Sequence, residues 1–258
     1  MKPVLSIENL SKSFGGLKAA HDFGLDLRAK DIQGIIGPNG AGKTTVFNLI
    51  TGIYKPDTGR IRLADHEVAG LPSDAISRRG ISRTFQNIRL FNSMTVLDNI
   101  KTAFHHRTGY GFWEAALGLS RFKNKEKQIS FESLAFLERF GLADRRFEPA
   151  DSLPYGEQRR LEIARALATR PRVLLLDEPA AGMNPTEVEE LIGLIRGIHE
   201  DFELSILLIE HQLPVVMKLC RHVHVMDFGR TIAVGEPLEV TCNPLVIKAY
   251  LGDEEDEA

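Results

Sequence analysis

The sequence predicts an α/β fold, in which helices cover a parallel core sheet beside an N-terminal antiparallel β-subdomain and an inserted helical subdomain. Two continuous apolar runs, at 173–176 and 205–209, have the composition of strands that are buried on both faces. A helical pattern over 186–200 lies between them, and strands that alternate with helices form parallel sheets. Residues 4–36 show short strand patterns instead, and these predict the antiparallel layer.

The remaining elements of the first third of the chain follow in order. Residues 23–28 alternate between apolar side chains and glycine or charged ones, which is the period of a half-buried strand. A short apolar run at 32–36 ends at a glycine, and a helical pattern begins near Lys43. The tetrapeptide at 56–59 predicts a turn, and the alternation at 61–63 predicts a strand after it.

Residues 93–165 are mostly helical in pattern, so we place the inserted helical subdomain at about 90–165. Apolar residues recur near a spacing of 3.6 over 129–140, and Gly141 is a candidate C-cap. The stretch 105–127 contains the adjacent histidines at 105 and 106, then an aromatic group at 110–113, then basic residues between 121 and 127, a mixture that could bind a metal, RNA or lipid headgroups. Adjacent histidines on a helix do not share a face, so a variable surface is the preferred interpretation.

Composition limits the class of protein. The chain has 258 residues, a net charge of −3 and two cysteines, which argues against a disulfide scaffold and against a global attraction to nucleic acid. No apolar run approaches the roughly 18–20 residues that a membrane span needs, and an acidic residue interrupts the N-terminus where a signal peptide would be apolar. We expect one cytoplasmic domain over 1–252 and an acidic disordered tail over 253–258.

A glycine-rich loop carries the strongest chemical signal. It matches the pattern G-x-x-x-x-G-K-[ST] between a predicted strand and a predicted helix, as in P-loop NTPases. Its glycines let several backbone N–H groups face phosphate oxygens, its lysine supplies a mobile positive charge, and its threonine hydroxyl is a hard ligand for Mg²⁺. The residues expected to bind a nucleotide here are Gly37, Pro38, Asn39, Gly40, Ala41, Gly42, Lys43, Thr44 and the adjacent Thr45.

Two carboxylates end the apolar strand at 173–176. Asp177 would be delivered beside the phosphate loop, where it can hold Mg²⁺ directly or through water. Glu178, one residue further, can polarise an attacking water as general base. Alone, this pair could be an acidic turn, but the upstream loop favours a catalytic pair.

Five features follow one another along the chain: the phosphate loop, Gln86, the segment 153–160, the pair Asp177-Glu178, and His211. Their order resembles that in the nucleotide-binding subunits of ABC transporters, and the resemblance covers nearly the whole chain. Within that superfamily, the sequence is most similar to the ATPase subunits of branched-chain amino acid importers. The resemblance is carried by the stretches at 83–91, 155–165, 177–185 and 246–252. The ATPase subunits of urea and amide importers share much of the sequence of these stretches. The resemblance therefore identifies the superfamily more specifically than it identifies the substrate.

The resemblance gives roles to further positions. It implies that Phe14 stacks on adenine, that Gln86 touches Mg²⁺ and the attacking water, and that His211 contacts the γ-phosphate. It also implies that Thr44, Gln86 and Asp177 hold the metal. In the same comparison, the segment Tyr155, Gly156 and Glu157 reaches the ATP of an opposite subunit.

One position departs from the family pattern. Pro154 stands where the signature segment usually has a serine, whose hydroxyl contacts that γ-phosphate. Proline is tolerated at a helix start, because its missing N–H would have had no partner within the helix. We therefore expect the fold to be kept and the contact across the dimer to be weakened, the alternative being that the backbone N–H groups of the segment already saturate the phosphate.

The resemblance also implies partners and a location. These are integral membrane permease subunits, a second ATPase subunit in a homo- or heterodimer, and indirectly a periplasmic or extracellular solute-binding protein, with no nucleic acid. The expected location is cytoplasmic and peripheral, on the inner face of the plasma membrane. The alternative is a soluble ABC-type ATPase that acts on ribosomes or DNA, but such proteins usually carry two such domains or a long coiled coil.

Overall fold

The computed structural model describes residues 2–105 and 120–251. The chain divides into two compact units, one formed by Met1–Gln86 together with Arg172–Ala258, the other by Asn87–Pro171. Across the described residues, the structure contains no helix with the length and apolar character that a membrane span requires. The predicted acidic tail and the centre of the stretch 105–127 lie outside the described residues.

The first unit contains an antiparallel sheet of four strands in the order β2-β1-β4-β5. The strands are β1 (Pro3–Phe14), β2 (Leu17–Arg28), β4 (Thr58–Leu63) and β5 (His66–Glu67). The predicted antiparallel layer is confirmed, and the side chains at 23, 25 and 27 are buried in alternation.

Two expectations for this layer are wrong. The strands are long, with 12 residues each in β1 and β2, because Gly15 and Gly16 adopt left-handed angles that close a tight turn between them. The predicted turn at 56–59 also ends early, since β4 starts at Thr58. At Gly59, β4 lies so close to β1 that a Cβ on this residue would be 2.5 Å from the Asn9 carbonyl oxygen.

The second sheet of this unit is the predicted parallel core, with the strand order β10-β9-β3-β8-β7-β6. All neighbours are parallel except β10, which closes an antiparallel hairpin on β9. Because parallel strands end at the same edge, the segments after β3, β7 and β8 come together there. The strands are β3 (Ile32–Ile36), β6 (Ile81–Arg83), β7 (Val173–Asp177), β8 (Ser205–Ile209), β9 (His222–Asp227) and β10 (Arg230–Gly235).

Helices of the first unit include the two predicted ones. Helix α1 begins at Lys43, and four of its apolar side chains join the buried cluster that also contains inward residues of both sheets. This packing fixes the helix that follows the phosphate loop. The helices are α1 (Lys43–Ile50), α2 (Ser73–Arg79), α6 (Pro185–Asp201), α7 (Leu213–Leu219), α8 (Pro237–Thr241) and α9 (Pro244–Leu251).

The second unit is helical. Its described helices are α3 (Val96–His105), α4 (Ser120–Arg139) and α5 (Tyr155–Ala168). The predicted C-cap at Gly141 is confirmed, because this residue has a φ of +67° and the Leu142 N–H donates to the Leu137 carbonyl at 2.8 Å. The sequence predicts that Cys220 and Cys242 are packing residues, which is confirmed for the buried Cys220 and wrong for the exposed Cys242.

Candidate functional site

The phosphate loop connects β3 to α1 under tight backbone constraints. Gly37 has a φ of +147°, and a Cβ there would lie 2.1 Å from the Met226 carbonyl oxygen. Gly42 has a φ of +102°, and a Cβ there would lie 2.1 Å from the Ala19 carbonyl oxygen. Only glycine fits at either position, so both pattern glycines are required by close backbone approach as well as by their angles.

The lysine of the loop is held by the loop itself. The Lys43 ammonium donates to the Gly37 carbonyl at 2.7 Å and to the Pro38 carbonyl at 2.8 Å. Burial lowers the pKa of Lys43, while the nearby charges of Glu178 and Asp177 raise it. The lysine is therefore a localised positive charge at the base of the loop, with two carboxylates close by.

A cavity of about 440 Å³ opens over the loop. It brings together residues that are far apart in the sequence and that were predicted to act on one nucleotide. Its walls also include residues that the sequence did not single out. The lining residues are Phe14, Leu17, Lys18, Ala19, Asn39, Gly40, Ala41, Gly42, Lys43, Thr44, Thr45, Gln86, Glu178, His211 and Phe228.

Neighbouring carboxylates at the end of β7 have different surroundings. Asp177 is buried, and one of its oxygens accepts a hydrogen bond from the Arg83 guanidinium at 2.6 Å. Glu178 lines the cavity, where one oxygen accepts from the Gln86 amide at 2.8 Å and the other lies 2.7 Å from the His211 Nε2 atom. The three predicted catalytic side chains therefore meet around Glu178.

Glu178 also has an unusual backbone. Its φ is +46°, in the left-handed region that residues with a side chain rarely adopt. Its N–H donates to the Ile209 carbonyl at 2.9 Å, across from the end of β8. Such strain costs about 1–3 kcal/mol and persists only where the surroundings fix it, which is common at functional sites.

The aromatic residue at the rim is oriented by its neighbours. Phe14 is 41% exposed, and its ring meets the edge of the Tyr54 ring at a centroid distance of 5.1 Å. The Lys12 ammonium lies 5.6 Å from the Phe14 centroid and pairs with Asp57 at 2.7 Å. The ring is thus fixed at the mouth of the cavity while keeping an exposed surface.

The signature segment belongs to the second unit and is described by itself. Pro154 is the N-cap of α5, with a φ of −53° and a ψ of 151°, and Tyr155, Gly156 and Glu157 form the first turn. The Gln158 N–H donates to the Pro154 carbonyl at 3.0 Å, which is the first bond of the helix. The expected survival of the helix start is confirmed.

Sequence reasoning gave no role to Arg83, which lies outside the cavity lining, or to Phe228, which is part of it. Arg83 pairs with the buried Asp177, and the only available signal was a basic residue within a short apolar strand. Phe228 sits in the turn between β9 and β10 with a φ of +41° and 83% exposure. The neighbouring Gly229 N–H donates to the Ala41 carbonyl at 2.9 Å, so this turn is attached to the phosphate loop.

Comparison with known protein families gives two matches. The model of the ABC transporter family matches residues 20–181, which is more than half of the chain. A second model, described as branched-chain amino acid ATP-binding cassette transporter, matches residues 230–256.

Individual relatives cover nearly the full length. The chain is 44% identical over 252 residues to the high-affinity branched-chain amino acid transport ATP-binding protein LivG of Salmonella typhimurium, covering 98% of this chain and 99% of that protein. It is 43% identical to the corresponding protein BraF of Pseudomonas aeruginosa, with the same coverage. Among solved structures, the ADP conformation of MJ1267, an ATP-binding cassette of an ABC transporter, has a TM-score of 0.84 at 30% identity and covers 98% of this chain and 100% of that one.

Proposed function

Because this chain belongs to the ABC transporter family, we propose that it is the ATP-hydrolysing subunit of an importer for branched-chain amino acids. Family membership makes the chain an ABC-type ATPase. The observation that carries the proposal is the single cavity in which the phosphate loop faces Glu178, Gln86 and His211.

Nucleotide binding rests on the loop and on the rim. The left-handed angles of the loop glycines allow backbone N–H groups to face phosphate oxygens, and the start of α1 adds the positive end of its dipole. Lys43, held beside them, places its charge where the β- and γ-phosphates of ATP would lie. Phe14 offers an exposed ring face for adenine, a contact worth about 1–3 kcal/mol for any base.

Hydrolysis rests on Glu178. A water activated for attack needs a base within hydrogen-bond reach, and the Glu178 carboxylate faces the cavity beside the phosphate loop. His211 and Gln86 each contact one oxygen of this carboxylate, and they therefore set its orientation before the water loses its proton. The left-handed backbone of Glu178 adds to this preorganisation.

The residues present also fit Mg²⁺. The Thr44 hydroxyl and the Gln86 amide both line the cavity and offer hard oxygen ligands. Asp177 is outside the cavity lining and is engaged by Arg83 through one oxygen, so it would act on the metal through water. When bound, Mg²⁺ would neutralise charge on the phosphate oxygens.

Other chains complete the proposed assembly. A second ATPase subunit would present the first turn of its own α5 to the ATP held by this chain. Permease subunits would span the membrane and form the path through which the substrate is transported. The location is then cytoplasmic, on the inner face of the plasma membrane. The substrate follows from the names of LivG and BraF and from the C-terminal family match. A solute-binding protein would deliver it from the far side.

Replacing the general base tests the ATPase. Glu178→Gln should leave ATP binding intact, because the phosphate loop is unchanged, and should reduce hydrolysis by about 10²–10⁴-fold. It should also trap an ATP-bound dimer that elutes earlier in size exclusion. The matched control is Glu200→Gln on the exposed face of α6, which should hydrolyse ATP as the parent chain does. Hydrolysis near the parent rate in Glu178→Gln would remove Glu178 from the mechanism.

A separate measurement tests the substrate. In the organism that makes this protein, the same Glu178→Gln change should abolish uptake of radiolabelled leucine, isoleucine and valine while uptake of glucose continues. Unchanged leucine uptake in a strain whose purified ATPase is inactive would reject the substrate and leave the ATPase assignment standing.

A further inference from the structure

Glu210 is a buried carboxylate that the mechanism above does not use. It follows β8 directly and is only 2% exposed. Its surroundings are unfavourable for a charge, since burial raises the pKa of Glu210 and the nearby Glu178 raises it further. Hydrogen bonds from the backbone act in the opposite direction. Burying a carboxylate costs free energy unless hydrogen bonds offset the loss of water, so the partners of Glu210 account for its presence there.

The partners of this carboxylate belong to two different segments. One oxygen accepts from the Ala180 N–H at 2.8 Å, two residues after Glu178. The other accepts from the His211 N–H at 2.9 Å and from the Gln212 N–H at 3.2 Å. The Glu210 carboxylate therefore joins the segment that carries Glu178 to the segment that carries His211.

A second tie runs beside the first. The Gln212 amide donates to the Ala180 carbonyl at 3.0 Å, so both backbone groups of Ala180 are held from the β8 side. Glu178, with its left-handed φ, is attached to the same side through its own N–H and the Ile209 carbonyl. These three hydrogen bonds hold the segment 178–180 against the end of β8, on the side where His211 lies.

We propose that Glu210 is a positioning residue that sets the distance between the general base Glu178 and His211 by bridging Ala180 to the His211 backbone. The inference rests on the proposed ATPase site and adds a residue to it. Loss of the bridge would displace the 2.7 Å contact between the two side chains and leave the phosphate loop unchanged.

Two variants separate the bridge from the charge. In Glu210→Gln, one oxygen becomes an NH₂ donor that faces a backbone N–H donor, so one arm of the bridge is lost. In Glu210→Asp, the charge remains, but the shorter side chain keeps only the nearby His211 and Gln212 groups and loses Ala180. For both variants we expect kcat for ATP to fall by about 10–100-fold, as for a small misplacement of reacting groups. We expect KM and the affinity for a fluorescent ATP analogue to stay within about twofold.

A matched control excludes a general effect of buried carboxylates. Asp31 is also buried in the first unit, accepts from the Gln33 amide at 3.1 Å, and lies at the opposite, amino end of β3. Asp31→Asn should lower the melting temperature with little change in kcat. A kcat for Glu210→Asp equal to that of the parent chain would overturn the proposal.

Hydrogen exchange of the full chain gives a readout that does not depend on ATP hydrolysis. In Glu210→Asp, amides in 178–184 should exchange faster than in the parent chain, although no residue of that segment is changed. Unchanged exchange there would overturn the bridge. If instead Glu178→Gln hydrolyses ATP normally while exchange at 178–184 rises in Glu210→Asp, the bridge is supported and the assignment of Glu178 as general base is what fails.

Discussion

Two helices of this protein begin in opposite ways. Helix α6 begins at a complete capping box, in which the Asn184 side chain accepts from the Thr186 and Glu187 N–H groups and Glu187 accepts from the Asn184 N–H. Helix α5 begins at Pro154, whose side chain has no hydrogen-bonding atom, and its first bond comes at Gln158. A capped start is saturated by its own side chains, whereas the start of α5 keeps backbone donors and the helix dipole available for an anion.

Helix α1, like α5, begins without a side-chain cap. It begins directly after Gly42, whose left-handed angle replaces a side-chain cap, and its first turn forms part of the cavity. The starts of α2 and α7 also lack a side-chain cap, so a missing cap alone does not identify a phosphate site, and we assign phosphate contacts only to α1 and α5, one in each unit. Helix α6 is the reference for a start whose N–H groups are bonded by its own capping side chains.

The largest expected effect comes from removing the charge at the start of α1. Lys43→Ala should weaken binding of a fluorescent ATP analogue by on the order of 10–100-fold, because hydrogen bonds to charged groups contribute about 1.5–3 kcal/mol. Lys30→Ala, which removes an exposed lysine paired with Glu203, is the control and should bind as the parent chain does. If Lys43→Ala and Lys30→Ala bound the ATP analogue with equal affinity, the start of α1 would have no role in phosphate binding.

The next effect tests the start of α5. Pro154→Ser should tighten ATP-driven dimerisation by about tenfold or more, since a hydroxyl bond to a charged phosphate contributes about 1.5–3 kcal/mol. The affinity of the monomer for nucleotide should barely change, because the contact exists only across the dimer. The measurement is the dimer dissociation constant with ATP, in the Glu178→Gln background with and without Pro154→Ser.

The same change has a second readout. The N-cap backbone at Pro154 is already extended, so a serine there can also accept from the first turn and raise the melting temperature slightly. A higher melting temperature with an unchanged dimer constant would show that the new hydroxyl only caps α5. That result would make the start of α5 resemble that of α6.

The smallest effect concerns the reference helix. Asn184→Ala removes the acceptor for two N–H groups of α6 and should cost about 1 kcal/mol of unfolding free energy. For a chain of this size, that corresponds to a melting temperature lower by roughly 2–4 °C in calorimetry. Thr186→Ala, which leaves the capping bonds in place, should not lower it. A loss in Thr186→Ala equal to that in Asn184→Ala would contradict the role of the box.

Much of this arrangement could be predicted from the sequence. The apolar runs that became β7 and β8 are long enough, and apolar enough, to identify buried strands. The phosphate loop is visible because its chemistry is local: the angles and charges it needs reside in eight consecutive residues. Glu178 follows from the same logic, since it comes two residues after the strand predicted at 173–176.

Other features depend on contacts between distant segments. The pairing of Arg83 with Asp177 spans 94 positions and involves a three-residue strand that is too short to show a period. The left-handed angle of Glu178 is imposed by its neighbours, because glutamate has no intrinsic preference for it. The bridge from Glu210 to Ala180 spans 30 positions, and an acidic residue after a strand gives no sign of which backbone it will meet.

The first and last glycines of the phosphate loop have a consequence for recombining this chain with a relative. Gly37 leaves no room between itself and the Met226 carbonyl, and Gly42 leaves none between itself and the Ala19 carbonyl. Three stretches far apart in the gene are therefore shaped against one another at the level of the main chain. A chimera with one crossover between 42 and 226 takes Gly37 from one parent and Met226 from the other, so it should remain active only if both parents place the Met226 carbonyl at the same distance from residue 37. When a piece is exchanged whose two ends both fall within 87–171, Gly37 and Met226 come from the same parent and this condition does not arise.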